Sequence, residues 1–143
     1  MLVDANVLLY SVDERSRYHA AARDWMVEAL NGPRRVGIPW QSVWAFVRIA
    51  TNPRALESPL TPDDAWAFVG GWLDAPATWV PTPGRGHRAI LGRLLIDHDV
   101  RAGLVSDAVL VALCIEHGLE IVSADSDFAR FPEVTWINPV QPG

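Results

Sequence analysis

Short apolar runs alternate with longer amphipathic stretches along this chain. Between residues 18 and 30 the apolar side chains follow the i, i+3, i+4, i+7 spacing of an amphipathic helix. A helical start is also expected directly after Asp4, at the turn Asp4-Ala5-Asn6. Comparable stretches predict helices over residues 40–51, 61 to about 73, 86–96 and 106–117. In the last of these, Ser106 is the expected capping residue and Gly118 the expected end.

The apolar runs between these helices predict short buried strands. They cover residues 2–3, 36–38, 78–80, 120–123 and 134–137. Strands that alternate with helices along a chain usually form parallel pairs covered on both faces. We therefore expect an α/β fold of three layers, with a central, mostly parallel sheet of four to five short strands and helices on both faces.

The composition fits one packed domain. The chain has 143 residues, of which 50% are hydrophobic and 20% charged, so we expect a single domain over residues 1–143. The longest apolar run, residues 108–115, is too short to span a bilayer, and we expect no leader sequence before the first strand. The single cysteine, Cys114, lies in this run, where a buried hydrophobic role is expected. We predict a cytoplasmic protein without a membrane contact.

The charge balance restricts how the chain can bind nucleic acid. The formal net charge is -5, and all 12 basic residues are arginines. This balance disfavours broad electrostatic coating of nucleic acid. It is compatible with a phosphodiester bound through a cation in one acidic pocket, and arginine suits contacts with phosphate oxygens.

Several aspartates are predicted to meet at one edge of the sheet. Asp4 follows the first strand, while Asp125 and Asp127 follow the strand 120–123. In parallel sheets, ligands bind beyond the carboxyl ends of the strands. Asp107 lies in the first turn of the helix 106–117, and the sequence leaves open whether that turn reaches the same edge. Glu116 is half a revolution away on that helix and is a poor candidate.

Each of these aspartates also has an ordinary structural explanation. Asp4 or Asn6 could cap a helix, Asp107 could interact with the helix dipole, and residues 125–127 could form a turn. Carboxylates that converge repel one another unless a hard cation neutralises them, and Mg²⁺ or Mn²⁺ suits an all-oxygen site. Zinc is disfavoured, because the four histidines show no metal-binding spacing.

Three motifs, in order, resemble PIN-domain nucleases and the VapC toxins among them. They are Asp4-Ala5-Asn6-Val7-Leu8-Leu9, the segment from Ser106 to Leu113 followed by Glu116-His117-Gly118, and the segment from Ser123 to Pro132. The segment from Arg48 to Arg54 is similar to one found in a branch of those toxins. The resemblance covers nearly the whole chain in order and spacing.

This resemblance implies a PIN-like fold and an Mg²⁺- or Mn²⁺-dependent endoribonuclease that cleaves cellular RNA as the toxin of a toxin–antitoxin pair. It implies that Asp4 and Asp107 are the principal metal ligands, that Asp125 and Asp127 complete the acidic pocket, and that Asn6 and Ser123 support it. Asp4, Asp107 and Asp125 are the expected catalytic residues. Arg48 and Arg54 are candidate contacts with RNA phosphates.

The resemblance also implies protein partners. A VapB-like antitoxin is expected, and apolar helix faces left over from the core would form a homodimer or antitoxin surface. Trp40 and Trp44, on the helix expected nearest the pocket, are the first choices for the wall of an antitoxin groove.

One position departs from the family pattern. Many members carry a glutamate before the phenylalanine of the second long helix, whereas Ala45 precedes Phe46 here. Gln41 or Ser42 could supply an oxygen instead. The number of metals, one or two, therefore stays open. So does an alternative, a PIN-like module with weakened catalysis that binds RNA or its antitoxin. A phosphoaspartate receiver or a haloacid-type phosphatase is disfavoured, because the chain has no lysine.

Overall fold

Five short parallel strands form the centre of the computed structural model, which describes residues 1–141. They are β1 (Leu2–Val3), β2 (Val36–Gly37), β3 (Thr78–Trp79), β4 (Ile121–Val122) and β5 (Trp136–Ile137). Their order across the sheet is β3-β2-β1-β4-β5, and every pairing is parallel. In register, Leu2 pairs with Gly37 on one side and with Ile121 on the other.

Within residues 1–141, six α-helices and one 3-10 helix surround the sheet. The α-helices are α1 (Ala5–Val12), α2 (His19–Leu30), α3 (Trp40–Ala50), α4 (Pro62–Asp74), α5 (His87–Asp97) and α6 (Leu104–His117), and the 3-10 helix covers Ser126–Arg130. The predicted helices are all present within a few residues of their expected bounds. Local capping accounts for several of these bounds. The Thr61 hydroxyl accepts from the backbone N of Asp64 at 3.1 Å, and Gly118 ends α6 in the left-handed conformation with φ 68°.

The two faces of the sheet are covered by different helices. Alternation along β1 sends Val3 into the core beneath α1–α4 and Leu2 into the core beneath α5 and α6. Val122 and Ile121 divide in the same way on β4. The predicted α/β fold of three layers is thereby confirmed, and the sheet has the upper of the two expected strand numbers.

The start of α6 differs from the prediction. The helix begins at Leu104, so Ser106 lies inside the first turn and does not cap it. The preceding turn sets this start, because Ala102 adopts a positive φ of 51° and the backbone N of Leu104 donates to Arg101 O at 3.2 Å. Asp107 remains in the first turn of the helix.

The direction in which strands are added changes at the centre of the sheet. From β1 the chain adds β2 and β3 on one side, while β4 and β5 lie on the other. The carboxyl ends of β1 and β4 are therefore neighbours at the point where an open α/β sheet offers a crevice for ligands. Within the described residues, no helix is both long and apolar enough to cross a membrane.

Candidate active site

Asp4 lies directly beyond the end of β1, where it begins α1. As the N-cap residue, it accepts a hydrogen bond on Oδ1 from the backbone N of Ala5 at 2.7 Å. Its Oδ2 accepts from Ser123 Oγ at 2.7 Å and from Asn6 Nδ2 at 3.3 Å. Both carboxylate oxygens are thus held in a fixed orientation.

Ser123 joins the ends of β1 and β4. Its hydroxyl belongs to a fully buried residue, donates to Asp4 and accepts from Asn6 Nδ2 and from the backbone N of Asp125, both at 3.0 Å. Asn6 Oδ1 in turn accepts from the backbone N of Ala124 at 3.1 Å. This network fixes the two strand ends relative to each other, so Asn6 and Ser123 orient the aspartates on either side.

Three further carboxylates meet beside this network. Asp125 begins the 3-10 helix, and its Oδ1 accepts from the backbone N of Asp127 at 2.9 Å. Asp107 reaches them from the first turn of α6. One carboxylate oxygen from each of Asp107, Asp125 and Asp127 lies within 4.8 Å of the others. The question left open by the sequence is answered, since the first turn of α6 does reach this edge of the sheet.

Asp4 and Asp107 also line a common cleft between α3 and α6, with a volume of about 320 Å³. Asp4 is outside the group of three carboxylates defined by the 4.8 Å spacing. The cleft is lined by Asp4, Gln41, Ser42, Trp44, Ala45, Arg48, Ser106, Asp107, Val109 and Leu110. The acidic cluster therefore opens into a space large enough to admit part of a ligand.

Crowding and burial change the protonation of this cluster. Partial burial, followed by the negative charges of Asp4, Asp125 and Asp127, raises the pKa of Asp107 to about 7. Burial also raises the pKa of Asp4, although the hydrogen bonds from Ser123 and Ala5 oppose this shift. Full ionisation of the cluster is therefore unfavourable in the protein alone.

The donor set fits a hard divalent cation. Every charged donor is a carboxylate, and hard cations such as Mg²⁺ and Mn²⁺ prefer oxygen ligands. A positive ion would also offset the repulsion that, after burial, contributes to the raised pKa of Asp107. Asp107, Asp125 and Asp127 could hold such an ion, with Asp4 at the adjoining wall of the cleft.

The structure separates the remaining candidates. Arg48, Gln41 and Ala45 all line the cleft from α3, so the position where the resemblance leads us to expect a glutamate faces the carboxylates. The hydroxyl of Ser42 is already used, because it donates to Val3 O at 2.7 Å. Arg54 is exposed in the turn after α3 and does not line the cleft.

Sequence reasoning did not single out two residues of the cleft wall, Val109 and Leu110. The signal was present for Leu110, which lies three positions after Asp107 and hence on the same side of the helix. Cys114, by contrast, is buried as expected, and burial raises the pKa of its thiol to about 12. The thiol is thus neutral and unreactive, in agreement with a packing role.

Comparison with known families decides the relationship of the chain. A model of the PIN domain matches residues 1–134. This chain is a PIN-domain protein. Among curated relatives, Ribonuclease VapC37 of Mycobacterium tuberculosis is 44% identical over 138 residues, which are 96% of each chain. Ribonuclease VapC33 of the same species is 37% identical over 141 residues, or 99% of each chain. The PIN domain is therefore of the VapC type, and the resemblance seen in the motifs is confirmed.

Solved structures share the PIN fold at low sequence identity. VapBC2 from Rickettsia felis, bound to a DNA fragment from the promoter, aligns with a TM-score of 0.67 at 12% identity, covering 96% of each chain. FitAcB from Neisseria gonorrhoeae aligns with a TM-score of 0.65 at 16% identity and the same coverage. These likenesses establish the fold of this PIN domain.

Proposed function

We propose that this PIN-domain protein is an Mg²⁺- or Mn²⁺-dependent endoribonuclease and the toxin of a toxin–antitoxin pair. The observation that carries the proposal is the meeting of Asp107, Asp125 and Asp127 within 4.8 Å, with Asp107 and Asp4 both lining the adjoining cleft. The names of the VapC relatives supply the reaction class. We propose that the substrate is cellular RNA and that the protein acts in the cytoplasm. We also propose that residues 1–143 form a single domain.

The cluster offers distinct groups for hydrolysis of a phosphodiester. A divalent ion, when bound, would acidify a water molecule and withdraw charge from the phosphoryl oxygens. Asp4 and Asp107 are the proposed principal ligands, and Asp125 and Asp127 complete the pocket. Asp125 Oδ1 accepts a hydrogen bond from the backbone N of Asp127. Asp125 Oδ2 is therefore the oxygen proposed to orient the water or to take its proton. Asn6 and Ser123 hold Asp4 in place.

Arginine side chains are proposed to position the RNA strand. Arg48 lines the cleft, close enough to contact a phosphate next to the one that is cleaved. Arg54, exposed after the end of α3, would contact the strand farther from the cluster. Because only these two arginines are proposed to contact phosphates, we expect RNA binding to depend mainly on contacts in the cleft and at the acidic cluster.

The enzyme assay uses purified wild-type protein and single-stranded RNA, with Mn²⁺ or Mg²⁺ and with excess EDTA. We expect cleavage with either metal and none with EDTA. Cleavage that persists in EDTA would reject the metal mechanism.

Ala45 favours a second candidate function. It lines the cleft where many family members carry a glutamate, so α3 contributes no carboxylate to the cluster. The alternative is a module that binds RNA or antitoxin with little turnover. Tight RNA binding without cleavage in the same assay, at any metal concentration, would favour this alternative over the enzyme.

A VapB-like antitoxin is the proposed inhibitor. The solved neighbours include toxin–antitoxin complexes, and the negative cluster could accept an arginine or lysine of a partner through charge-assisted hydrogen bonds. Asp107→Asn should therefore weaken the complex with the antitoxin encoded beside the gene. Unchanged affinity in calorimetry would place the partner elsewhere.

A homodimer is also part of the proposal. Exposed apolar side chains on α4, Trp66 and Phe68 among them, supply a surface for self-association. Light scattering on the purified protein distinguishes a dimer from a monomer.

A further inference from the structure

Trp44 presents an uncovered indole at the mouth of the acidic cleft. It lies on α3, whose other side places Val43, Phe46 and Ala50 in the core. The Trp44 side chain is 65% exposed and forms no aromatic pair with any of residues 1–141. Packing of the chain itself therefore leaves a large apolar plane in water, beside the carboxylates of the proposed active site.

Arg48 lies one helical turn after Trp44 and lines the same cleft. Within the described chain its guanidinium has no carboxylate partner within 4.0 Å, although several aspartates line or adjoin this cleft. An unpaired arginine in this position is available for an anion from outside the protein. Arginine presents a planar set of donors that suits phosphate oxygens.

The two side chains together match the repeating unit of a nucleic acid strand. Four residues along a helix correspond to a rise of about 6 Å, so a flat apolar surface and a cation are offered one turn apart. Proteins that bind single strands combine the same elements, an aromatic plane for the base and a positive group for the backbone. Inside a duplex both faces of a base are covered by its stacked neighbours, so the indole suits a base from a single-stranded segment.

Charge favours RNA over a peptide as the occupant. A phosphate next to Arg48 would pair with its guanidinium, whereas a partner arginine or lysine bound to the aspartates would leave Arg48 without an anion. An apolar peptide would cover the indole and leave Arg48 without a partner. A single ligand can cover Trp44 and also pair with Arg48 only if it carries both a planar apolar group and a negative charge. A nucleotide carries both.

We propose that Trp44 is a stacking platform for an unpaired nucleobase of the RNA substrate, with Arg48 binding the adjoining phosphate. The inference rests on the proposed ribonuclease function and names the two residues through which an unpaired nucleotide of the substrate would bind. Trp44 acts in binding and selects unpaired nucleotides. Stacking tolerates any base, so this subsite selects strand structure and not sequence.

The test compares binding of two fluorescent probes, oligo-adenylate and an abasic ribose-phosphate oligomer of the same length, by anisotropy. Both probes carry the same backbone charge and differ only in the bases. The measurements use an Asp107→Asn background, which prevents turnover in the proposed mechanism. Trp44→Ala, Trp44→Phe and the control Trp66→Ala are compared there, because Trp66 is 56% exposed on α4 and does not line the cleft.

We expect Trp44→Ala to weaken binding of oligo-adenylate by about 5- to 150-fold, the range that corresponds to one lost stacking contact. Binding of the abasic oligomer should change little, Trp44→Phe should retain most of the affinity, and Trp66→Ala should resemble the background protein. Equal effects on the two probes, no effect on either, or no binding of either probe would overturn the proposal. So would weaker antitoxin binding by Trp44→Ala together with unchanged RNA binding.

Cleavage of single-stranded RNA by wild-type protein with Mn²⁺, measured in parallel, separates this inference from the proposed function. Cleavage without a base-dependent effect at Trp44 rejects the platform and leaves the ribonuclease standing. A base-dependent effect without cleavage supports the platform and rejects the ribonuclease.

Discussion

At the scale of single residues, the protonation of Asp107 links the acidic cluster to stability. Its pKa of about 7 in the folded protein exceeds the ordinary value of 3.8, so the folded state holds this proton more tightly than the unfolded chain does. Between these two values the unfolded chain has lost the proton and the folded protein has not. Stability of the metal-free protein should therefore fall as the pH rises from about 4 to about 7.

Asp107→Asn should remove the loss of stability that accompanies ionisation of Asp107 as the pH rises. At about pH 8 in EDTA the variant should be more stable than wild type by about 1–2 kcal/mol, a value reduced for solvent screening because the side chain is half-exposed. The difference should vanish near pH 4, where both the carboxyl and the amide are neutral. Urea unfolding at the two pH values measures it. A variant that is less stable than wild type at the higher pH would show that burial and the neighbouring charges do not disfavour the ionised carboxylate of Asp107.

Ala45 provides a second test at this scale. Because it lines the cleft with Asp4 and Asp107, Ala45→Glu should add a ligand and tighten Mn²⁺ binding by about tenfold, or about 1.4 kcal/mol. Ala45→Gln has a similar size without the charge and should have a much smaller effect. Calorimetric titration compares the three proteins. Weaker Mn²⁺ binding by the glutamate variant would mean that this position does not face the metal.

At the scale of elements, the segment of residues 80–86 that joins β3 to α5 is fixed to the end of α6. The backbone N of Gly84 donates to Glu116 Oε1 at 2.6 Å, and His117 Nε2 lies 2.8 Å from Thr82 O. Glu116 is largely buried, which strengthens a hydrogen bond to its carboxylate. A Cβ on Gly84 would collide with this carboxylate oxygen. The residue rejected as a metal ligand thus holds a connection in place.

Gly84→Ala should destabilise the protein by about 1–3 kcal/mol, since it displaces a charged acceptor from its donor. Gly92→Ala is the matched control. Gly92 lies within α5 with open space around its Cβ position, so the same change should stabilise the protein by about 0.5–1 kcal/mol. Thermal unfolding should give shifts of opposite sign. A shift of the same sign for both would refute the role assigned to the 80–86 segment.

The sequence predicted the type and order of the elements better than their bounds. Apolar spacing identified the helix over residues 18–30, and start and stop signals identified others, such as the helices that begin near residues 61 and 106. The strands were expected to have up to four residues, yet pairing is limited to two, because a neighbouring strand decides how far a ladder extends. The 3-10 helix Ser126–Arg130 was not distinguished from a turn, because a single aspartate cap suits both. Ser106 was a plausible cap, and the conformation of the preceding turn decided otherwise.

At the scale of the whole molecule, sequence reasoning predicted the part of the candidate site that depends on strand ends. Asp4 and Asp125 follow β1 and β4, and parallel pairing brings them together at one edge. The placement of Asp107 and of the α3 side chains depends on how helices pack against the sheet, which no local pattern encodes. For that reason Leu110 in the cleft wall required the structure, whereas the sequence already suggested Trp44 for the wall of a groove near the pocket.

The net charge of -5 leads to a prediction about salt. If Arg48 and Arg54 are the only phosphate contacts, the logarithm of RNA affinity should fall with the logarithm of salt concentration with a slope of about -1.4, from about 0.7 per contact. Each change to glutamine should reduce the slope by about 0.7. Arg93→Gln, on α5, should leave it unchanged. A much steeper slope in anisotropy titrations would reveal a basic surface that the proposal lacks.

The most direct test of the central claim is Mn²⁺-dependent cleavage of single-stranded RNA by Asp107→Asn and by Asp63→Asn. Both aspartates lie in the first turn of a helix, but Asp63 is exposed on α4 and only Asp107 belongs to the carboxylate cluster. Asp107→Asn should abolish cleavage while the protein remains folded, and Asp63→Asn should cleave as wild type does. Wild-type rates from folded Asp107→Asn protein, or equal losses in both variants, would contradict the assignment of the acidic cluster as the active site.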